Sequence, residues 1–72
     1  MKPEIISVLP SGYGHWEVKV EQWYKHSKNV WTYTTNDSTL TDDYRYGERK
    51  QKTIKELIRR AKANGSKETI KL

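Results

Sequence analysis

Hydrophobic and polar residues alternate from His15 to Glu21 within the segment His15–Lys25. Trp16 and Val20 fall on one side of this segment, and charged residues fall on the other. A period of two over this length predicts a β-strand with one buried face. Runs rich in β-branched residues at Glu4–Leu9 and Val30–Thr35 predict two more strands, so the first half of the chain is expected to form a three-stranded antiparallel meander.

A helical period replaces the alternation after Gly47. Apolar side chains recur there three and four residues apart, at Ile54, Leu57, Ile58 and Ala61. This spacing predicts an amphipathic helix over Glu48–Asn64. A shorter helix that starts at Thr53, with Glu56 completing a capping box, is the alternative. Gly65 is expected at the left-handed position that ends many helices.

The remaining segments are short. Asn36–Tyr46 is polar and predicts a loop, with a turn around Leu40–Tyr44, whereas Lys67–Leu72 is a candidate fourth strand. The prediction is therefore one small α+β domain over residues 1–72. In it, a three-stranded antiparallel meander packs on one C-terminal amphipathic helix, and a short final strand gives the order β-β-β-α-β. A right-handed crossover would place that strand parallel to the first.

The hairpin between the second and third strands has two possible registers, which bury different faces. A loop of two or four residues places one set of side chains on a shared core face: Trp16, Val18, Val20, Trp31 and Tyr33. Trp23 then lies outside, beside Val30. A three-residue loop instead brings Val30 into the core and exposes a row of Trp23, Trp31 and Tyr33. The first register buries more apolar surface, at about 25 cal/mol per Å², and is favoured.

Size and composition narrow the class of protein. The chain has 72 residues, 33% of them hydrophobic, and no cysteine. Disulfides, zinc–thiolate sites and iron–sulfur clusters are therefore excluded. The absence of cysteine favours a cytoplasmic protein over a small secreted one. No run approaches the roughly 20 apolar residues that a membrane-spanning helix requires, so no membrane partner is expected.

The positive charge is concentrated in the predicted helix. The net charge is +5, and the segment Glu48–Asn64 carries all of this excess. Its acidic residues are Glu48 and Glu56, while the rest of the chain has equal numbers of acidic and basic residues. Its seven basic residues are Arg49, Lys50, Lys52, Lys55, Arg59, Arg60 and Lys62.

Four of these cations, Lys52, Lys55, Arg59 and Lys62, share one stripe at helical spacing, which predicts contacts with the phosphates of DNA or RNA. The alternative is that this face contacts only solvent, because cations near the C-terminus of a helix also complement the helix dipole. A third interpretation is a protein-interaction module, with a homodimer as one form of it, that uses a sheet edge and an exposed Trp23.

No catalytic or metal-binding constellation is present. The turn "SGYGHW" lacks the spacing and the lysine of a phosphate loop. His15 and His26 lie at separate hairpin ends with no second ligand nearby in sequence. Asp42 and Asp43 suit the capping of a turn better than a cation site. We therefore expect a protein that is not an enzyme and that needs no cofactor or metal.

Two segments, Ile6–Glu21 and Thr34–Tyr44, carry a resemblance to a group of short, uncharacterised proteins from bacterial prophages and mobile elements. The shared features are a glycine-flanked turn, an alternating strand, a Thr-Thr-Asn strand end, an acidic loop and a following helix. The resemblance implies a cytoplasmic, mobile-element setting, and it brings no activity, cofactor or site residue. This chain departs from the group in its more basic helix and in the tail after Gly65.

Overall fold

One antiparallel sheet and two helices make up the computed structural model, which describes residues 1–72. In chain order the elements are β1 (Glu4–Gly12), β2 (His15–Trp23), β3 (Ser27–Thr35), α1 (Ser38–Tyr46), α2 (Gln51–Asn64) and β4 (Ser66–Lys71). The strands lie in the order β1-β2-β3-β4, and each neighbouring pair is antiparallel. The predicted α+β class is confirmed, and the candidate fourth strand is present as β4, but the protein has two helices rather than the single predicted helix.

The β2–β3 register is the one that buries the larger apolar face. Val20 lies opposite Trp31, and Trp23 lies opposite Lys28, so four residues separate the last pair. The buried hydrophobic core comprises Val8, Val18, Val20, Trp31, Leu57 and Ala61. Both helices pack on this one side of the sheet.

The segment Asn36–Tyr46 is mostly helical, so the predicted loop was wrong. Asp37 is the N-cap of α1, and its side chain accepts a hydrogen bond from the Leu40 backbone N–H at 3.2 Å. Thr41 is fully buried, and its hydroxyl donates to the Asp37 carbonyl oxygen at 3.2 Å. The polar residues that favoured a loop therefore supply the cap and an internal hydrogen bond of a short helix.

Helix α2 begins at Gln51, between the two predicted starts at Glu48 and Thr53. Arg49 has a φ of 53°, a left-handed conformation that no helix accommodates. Arg49 therefore lies outside α2, which starts two residues later at Gln51. Thr53 lies inside α2, where its hydroxyl donates to the Asp43 carboxylate rather than capping the helix.

Strand β4 pairs antiparallel with β3, so its predicted orientation parallel to the first strand was wrong. Trp31 lies opposite Lys67, and Thr32 lies opposite Ser66. The prediction assumed one helix between β3 and the last strand. The two helices together instead return the chain to the end of the sheet where β3 finishes, and a strand that starts there runs antiparallel to β3.

Gly65 makes this return possible through its small size. Its φ is −81°, so the predicted left-handed conformation was wrong. A Cβ atom at this position would lie 2.5 Å from the Ala61 carbonyl oxygen and 2.8 Å from the Thr32 carbonyl oxygen. Only glycine lets α2 end in such close contact with β3.

Candidate nucleic-acid interface

The outward side of α2 presents most of the predicted cations to solvent. Leu57 and Ala61 anchor the opposite side of the helix in the core. Arg60 is half-buried, whereas six of the seven predicted cations are exposed: Arg49, Lys50, Lys52, Lys55, Arg59 and Lys62. The fold thus brings the predicted stripe together and separates Arg60 from it.

One flank of α2, here called the α1 flank, faces α1 and carries Glu56 and Arg60. Arg60 Nη1 lies 3.0 Å from Asp37 Oδ2, and its Nε lies 2.8 Å from Glu56 Oε2. Glu56 also accepts from Arg59 Nη2 at 2.8 Å. Asp37 and Glu56 therefore compensate much of the charge of Arg60, and the ion pairs tie α2 to the N-terminus of α1.

The ion pairs on the α1 flank shift the titration of their members. Hydrogen bonds from Arg59 and Arg60 lower the pKa of Glu56 to about 2. The Leu40 backbone N–H and then Arg60 lower the pKa of Asp37. The hydrogen bonds to Glu56 and Asp37 in turn raise the pKa of Arg60. All three groups are therefore held in their charged forms at neutral pH.

Helix α1 brings further carboxylates to the same flank, which sequence reasoning missed. Asp42, Asp43 and Asp37 line a shallow groove between the helices, together with Lys50 and Lys52. The segment that contains these acids was treated as a separate loop, so its acids were not counted against the helix. In the fold they oppose the positive charge at the beginning of α2.

The other flank of α2 faces the first strand and is here called the β1 flank. It carries Lys55, Ile58 and Lys62. Lys62 Nζ lies 3.2 Å from Gln22 Oε1 and 5.2 Å from the centre of the Trp31 ring. Neither lysine lies within salt-bridge distance of a carboxylate. The positive charge on this flank is therefore uncompensated.

A groove of about 550 Å³, here called the β1 groove, runs between α2 and the start of β1. Its apolar lining consists of Pro3, Ile5, Tyr44, Ile54 and Ile58. Its polar lining consists of Lys2, Glu4, Gln51, Lys55 and Arg59. Three cations and one carboxylate therefore surround an apolar floor.

Two arginines outside α2 are held by aromatic rings. Arg49 Cζ lies 4.6 Å from the centre of the Tyr44 ring, and Arg49 Nε donates to the Tyr44 carbonyl oxygen at 2.9 Å. Arg45 Cζ lies 4.2 Å from the Trp16 ring centre and 5.1 Å from that of Tyr46. Neither guanidinium forms an ion pair. Arg45 was missed because its stacking depends on a contact between α1 and β2.

The side of the sheet that faces away from the helices is slightly acidic. The strand registers place Glu17, Glu21 and Glu68 there against Lys19 and Lys28. No helix covers this open sheet face. The cationic surface and the open sheet face therefore point in opposite directions.

Trp23 lies on the open sheet face and is 38% exposed. Its Nε1 donates to Glu21 Oε2 at 3.1 Å, and Lys28 Nζ lies 4.7 Å from its ring centre. The polar edge of the indole and part of its ring are therefore already in contact with this chain. Partner binding by Trp23 stays a prediction.

The structure brings no metal-ligating cluster together. No three His, Asp or Glu side chains meet as a possible metal site. His15 Nδ1 lies 3.0 Å from the Tyr13 carbonyl oxygen at the β1–β2 turn. The Asp43 carboxylate accepts a hydrogen bond from the Thr53 hydroxyl. Neither helix is both long and apolar enough to cross a bilayer.

Comparison of the chain with protein-family models, with curated proteins and with solved structures gives no match in any of the three. The resemblance to prophage and mobile-element proteins stays a prediction, as does the cytoplasmic location.

Proposed function

We propose that this protein binds nucleic acid through the outward side and the β1 flank of α2, together with the turn that precedes α2. The contacting residues in this proposal are Arg49, Lys50, Lys52, Lys55, Arg59 and Lys62. Arg60 takes a structural role, because Asp37 and Glu56 already bind it. The observation that supports this proposal is a row of exposed cations, several of them without ion pairs. This row lies on the side opposite the slightly acidic sheet face.

The separation of charge orients the protein on a polyanion. Phosphates attract the α2 surface and repel the carboxylates of the open sheet face. The α2 side of the domain is therefore the side favoured for close approach to the nucleic acid. Such steering raises the association rate and weakens as salt screens the charges.

The length of α2 suits several phosphate contacts. Fourteen residues at 1.5 Å per residue make a rod of about 21 Å. Four to six cations along it predict a slope of log affinity against log salt of roughly −4 to −5 for a duplex. This slope is measurable and does not depend on the base sequence.

Fluorescence anisotropy with a labelled duplex, over a series of salt concentrations, tests the proposal. The variant Lys52→Glu/Lys55→Glu is expected to lose binding at low salt and to keep its circular dichroism spectrum. Lys25→Glu/Lys71→Glu removes the same charge at exposed positions outside α2 and is the matched control. The absence of wild-type binding to any nucleic acid at low salt would refute the proposal, as would an equal loss in both variants.

A protein-interaction role is the second candidate, and the exposed edge strand β4 favours it. All six residues of β4 are exposed. A two-fold pairing of β4 centred on Thr69 would, however, bring Lys67 of each copy opposite Lys71 of the other, and one centred on Glu68 would oppose two carboxylates. Like charges in direct opposition destabilise such pairs. A concentration-dependent dimer in sedimentation experiments would support this candidate over the first, and its loss in Trp23→Ala would place Trp23 in the interface.

A further inference from the structure

The β1 groove has a feature that phosphate binding does not require, which is its apolar floor. We propose that this groove receives an unpaired base of a single-stranded nucleic acid, whose backbone lies along the cations of α2. This inference rests on the proposed function and names its substrate class.

The apolar floor of the groove is built from three different elements. Ile5 comes from β1, Tyr44 from α1, and Ile54 and Ile58 from α2. All four side chains are half-buried, so each keeps part of its surface in water. A flat apolar ligand that covers them would remove this surface from water.

The charges around the groove select an anionic ligand. Lys2, Lys55 and Arg59 line it, and Glu4 is the one carboxylate among the lining residues. Arg49 does not line the groove, but its guanidinium lies over the ring of the lining residue Tyr44, at 4.6 Å from the ring centre. A nucleotide combines an aromatic base with a negative phosphate, and this combination matches an apolar floor beside cations.

The groove and the cationic stripe share residues. Lys55 and Arg59 belong to both, although Glu56 compensates part of the charge of Arg59. A strand whose phosphates follow α2 therefore passes the mouth of the groove. An extended strand can turn a base into the groove there without leaving the cations.

A duplex cannot use the groove in this way. Its bases are paired and stacked inside, so it offers mainly phosphates to a protein surface. Single strands expose the faces of their bases, and aromatic and arginine side chains commonly stack on them. An unpaired base can therefore fill the space above the apolar floor, whereas a nucleic-acid duplex leaves that space empty.

Anisotropy titrations of the wild type compare single-stranded and duplex oligonucleotides with equal numbers of phosphates. The single strand is expected to bind about tenfold tighter or more, and to lose less affinity as salt rises. Tyr44→Leu keeps an apolar side chain and removes the ring, so it should erase most of this preference. Duplex binding should weaken much less, because Arg49 keeps its hydrogen bond to the backbone carbonyl oxygen at this position. Tyr46→Leu, at an exposed neighbour that does not line the groove, is the control.

Isoleucine methyl NMR gives a second readout that uses only the wild-type protein and does not depend on a variant that folds. Addition of a single-stranded oligonucleotide should shift the methyl signals of Ile5, Ile54 and Ile58. The signals of Ile6 and Ile70, which are exposed and do not line the groove, should stay in place.

The outcomes separate the two proposals. Equal affinity for single strand and duplex, with unmoved groove methyl signals, would overturn this inference and leave the proposed function standing. Binding to neither nucleic acid at low salt would overturn both. Tight single-strand binding that shifts the methyl signals of the open sheet face, and not those of the groove, would also overturn the inference.

Discussion

The two flanks of α2 come from one stretch of sequence and differ in what surrounds them. On the α1 flank, Arg60 contacts both Asp37 and Glu56. On the β1 flank, Lys55 and Lys62 have no carboxylate partner. The first flank binds the two helices to each other, and the second presents charge to solvent beside the β1 groove.

The comparison shows that a charge counted in a sequence is not always a charge available to a ligand. Seven cations lie in the basic segment, and α1 brings carboxylates against only one side of it. An arginine that is already paired must break an ion pair before it can bind phosphate. An unpaired lysine loses only its hydration and some side-chain freedom.

The substitution Leu57→Ala should have the largest effect on the free energy of unfolding, because Leu57 holds both flanks of α2 against the core. Leu57 is fully buried, and such a truncation costs about 2–5 kcal/mol. A domain of this size has only about 3–5 kcal/mol to lose, so we expect loss of the folded state in urea unfolding followed by circular dichroism. Lys52→Ala, at an exposed site on the same helix, should change stability by less than about 0.5 kcal/mol. A well-folded Leu57→Ala would contradict the observed core.

The next largest effect on stability should come from the C-terminal end of α1, the helix that the α1 flank faces. In Gly47→Ala, the added Cβ would lie 2.5 Å from the Asp43 carbonyl oxygen and 2.9 Å from Asp43 Oδ1. The end of α1 must then move, which should cost about 1–3 kcal/mol. Thermal unfolding measures this loss, and Glu48→Ala, at the next and exposed position, is the control. A Gly47→Ala variant as stable as the control would show that the C-terminal end of α1 does not need this close approach.

Acid should weaken the α1 flank before it affects the β1 flank. The pKa of Glu56 is lowered from 4.5 to about 2 in the folded protein, so its stabilising contribution is present above pH 4.5. That contribution is lost as the pH falls from 4.5 towards 2, because the unfolded chain then takes up the proton first. Thermal unfolding across this range should show a smaller pH dependence in Glu56→Gln than in the wild type. Lys55→Gln should keep the wild-type profile, and identical profiles for all three proteins would contradict the ion-pair geometry.

The smallest effects should separate the flanks by function. Lys55→Gln is expected to leave stability unchanged and to reduce the salt slope of nucleic-acid binding by about 1. Arg60→Gln is expected to lower the melting temperature and to leave that slope nearly unchanged. Anisotropy and melting experiments on both variants test these two expectations. The opposite result for each variant would contradict the roles assigned to the two flanks.

The sequence by itself determined the elements whose patterns are local. The alternation in His15–Lys25 predicted β2, and the apolar spacing from Ile54 to Ala61 predicted α2, because each residue in these segments points to a side fixed by its neighbours in the chain. Burial of the larger apolar face also predicted the β2–β3 register. The positions of the exposed cations followed from the same helical spacing.

Only the tertiary structure decided the rest. The N-cap at Asp37 turned a polar segment into α1, and the pair of helices returned the chain so that β4 runs antiparallel to β3. The N-cap of that same helix supplied Asp37, one of the two carboxylates that bind Arg60, and α1 left the β1 flank and its groove open. These outcomes depend on which distant residues meet in space, and no periodicity along a chain encodes the contacts between two elements.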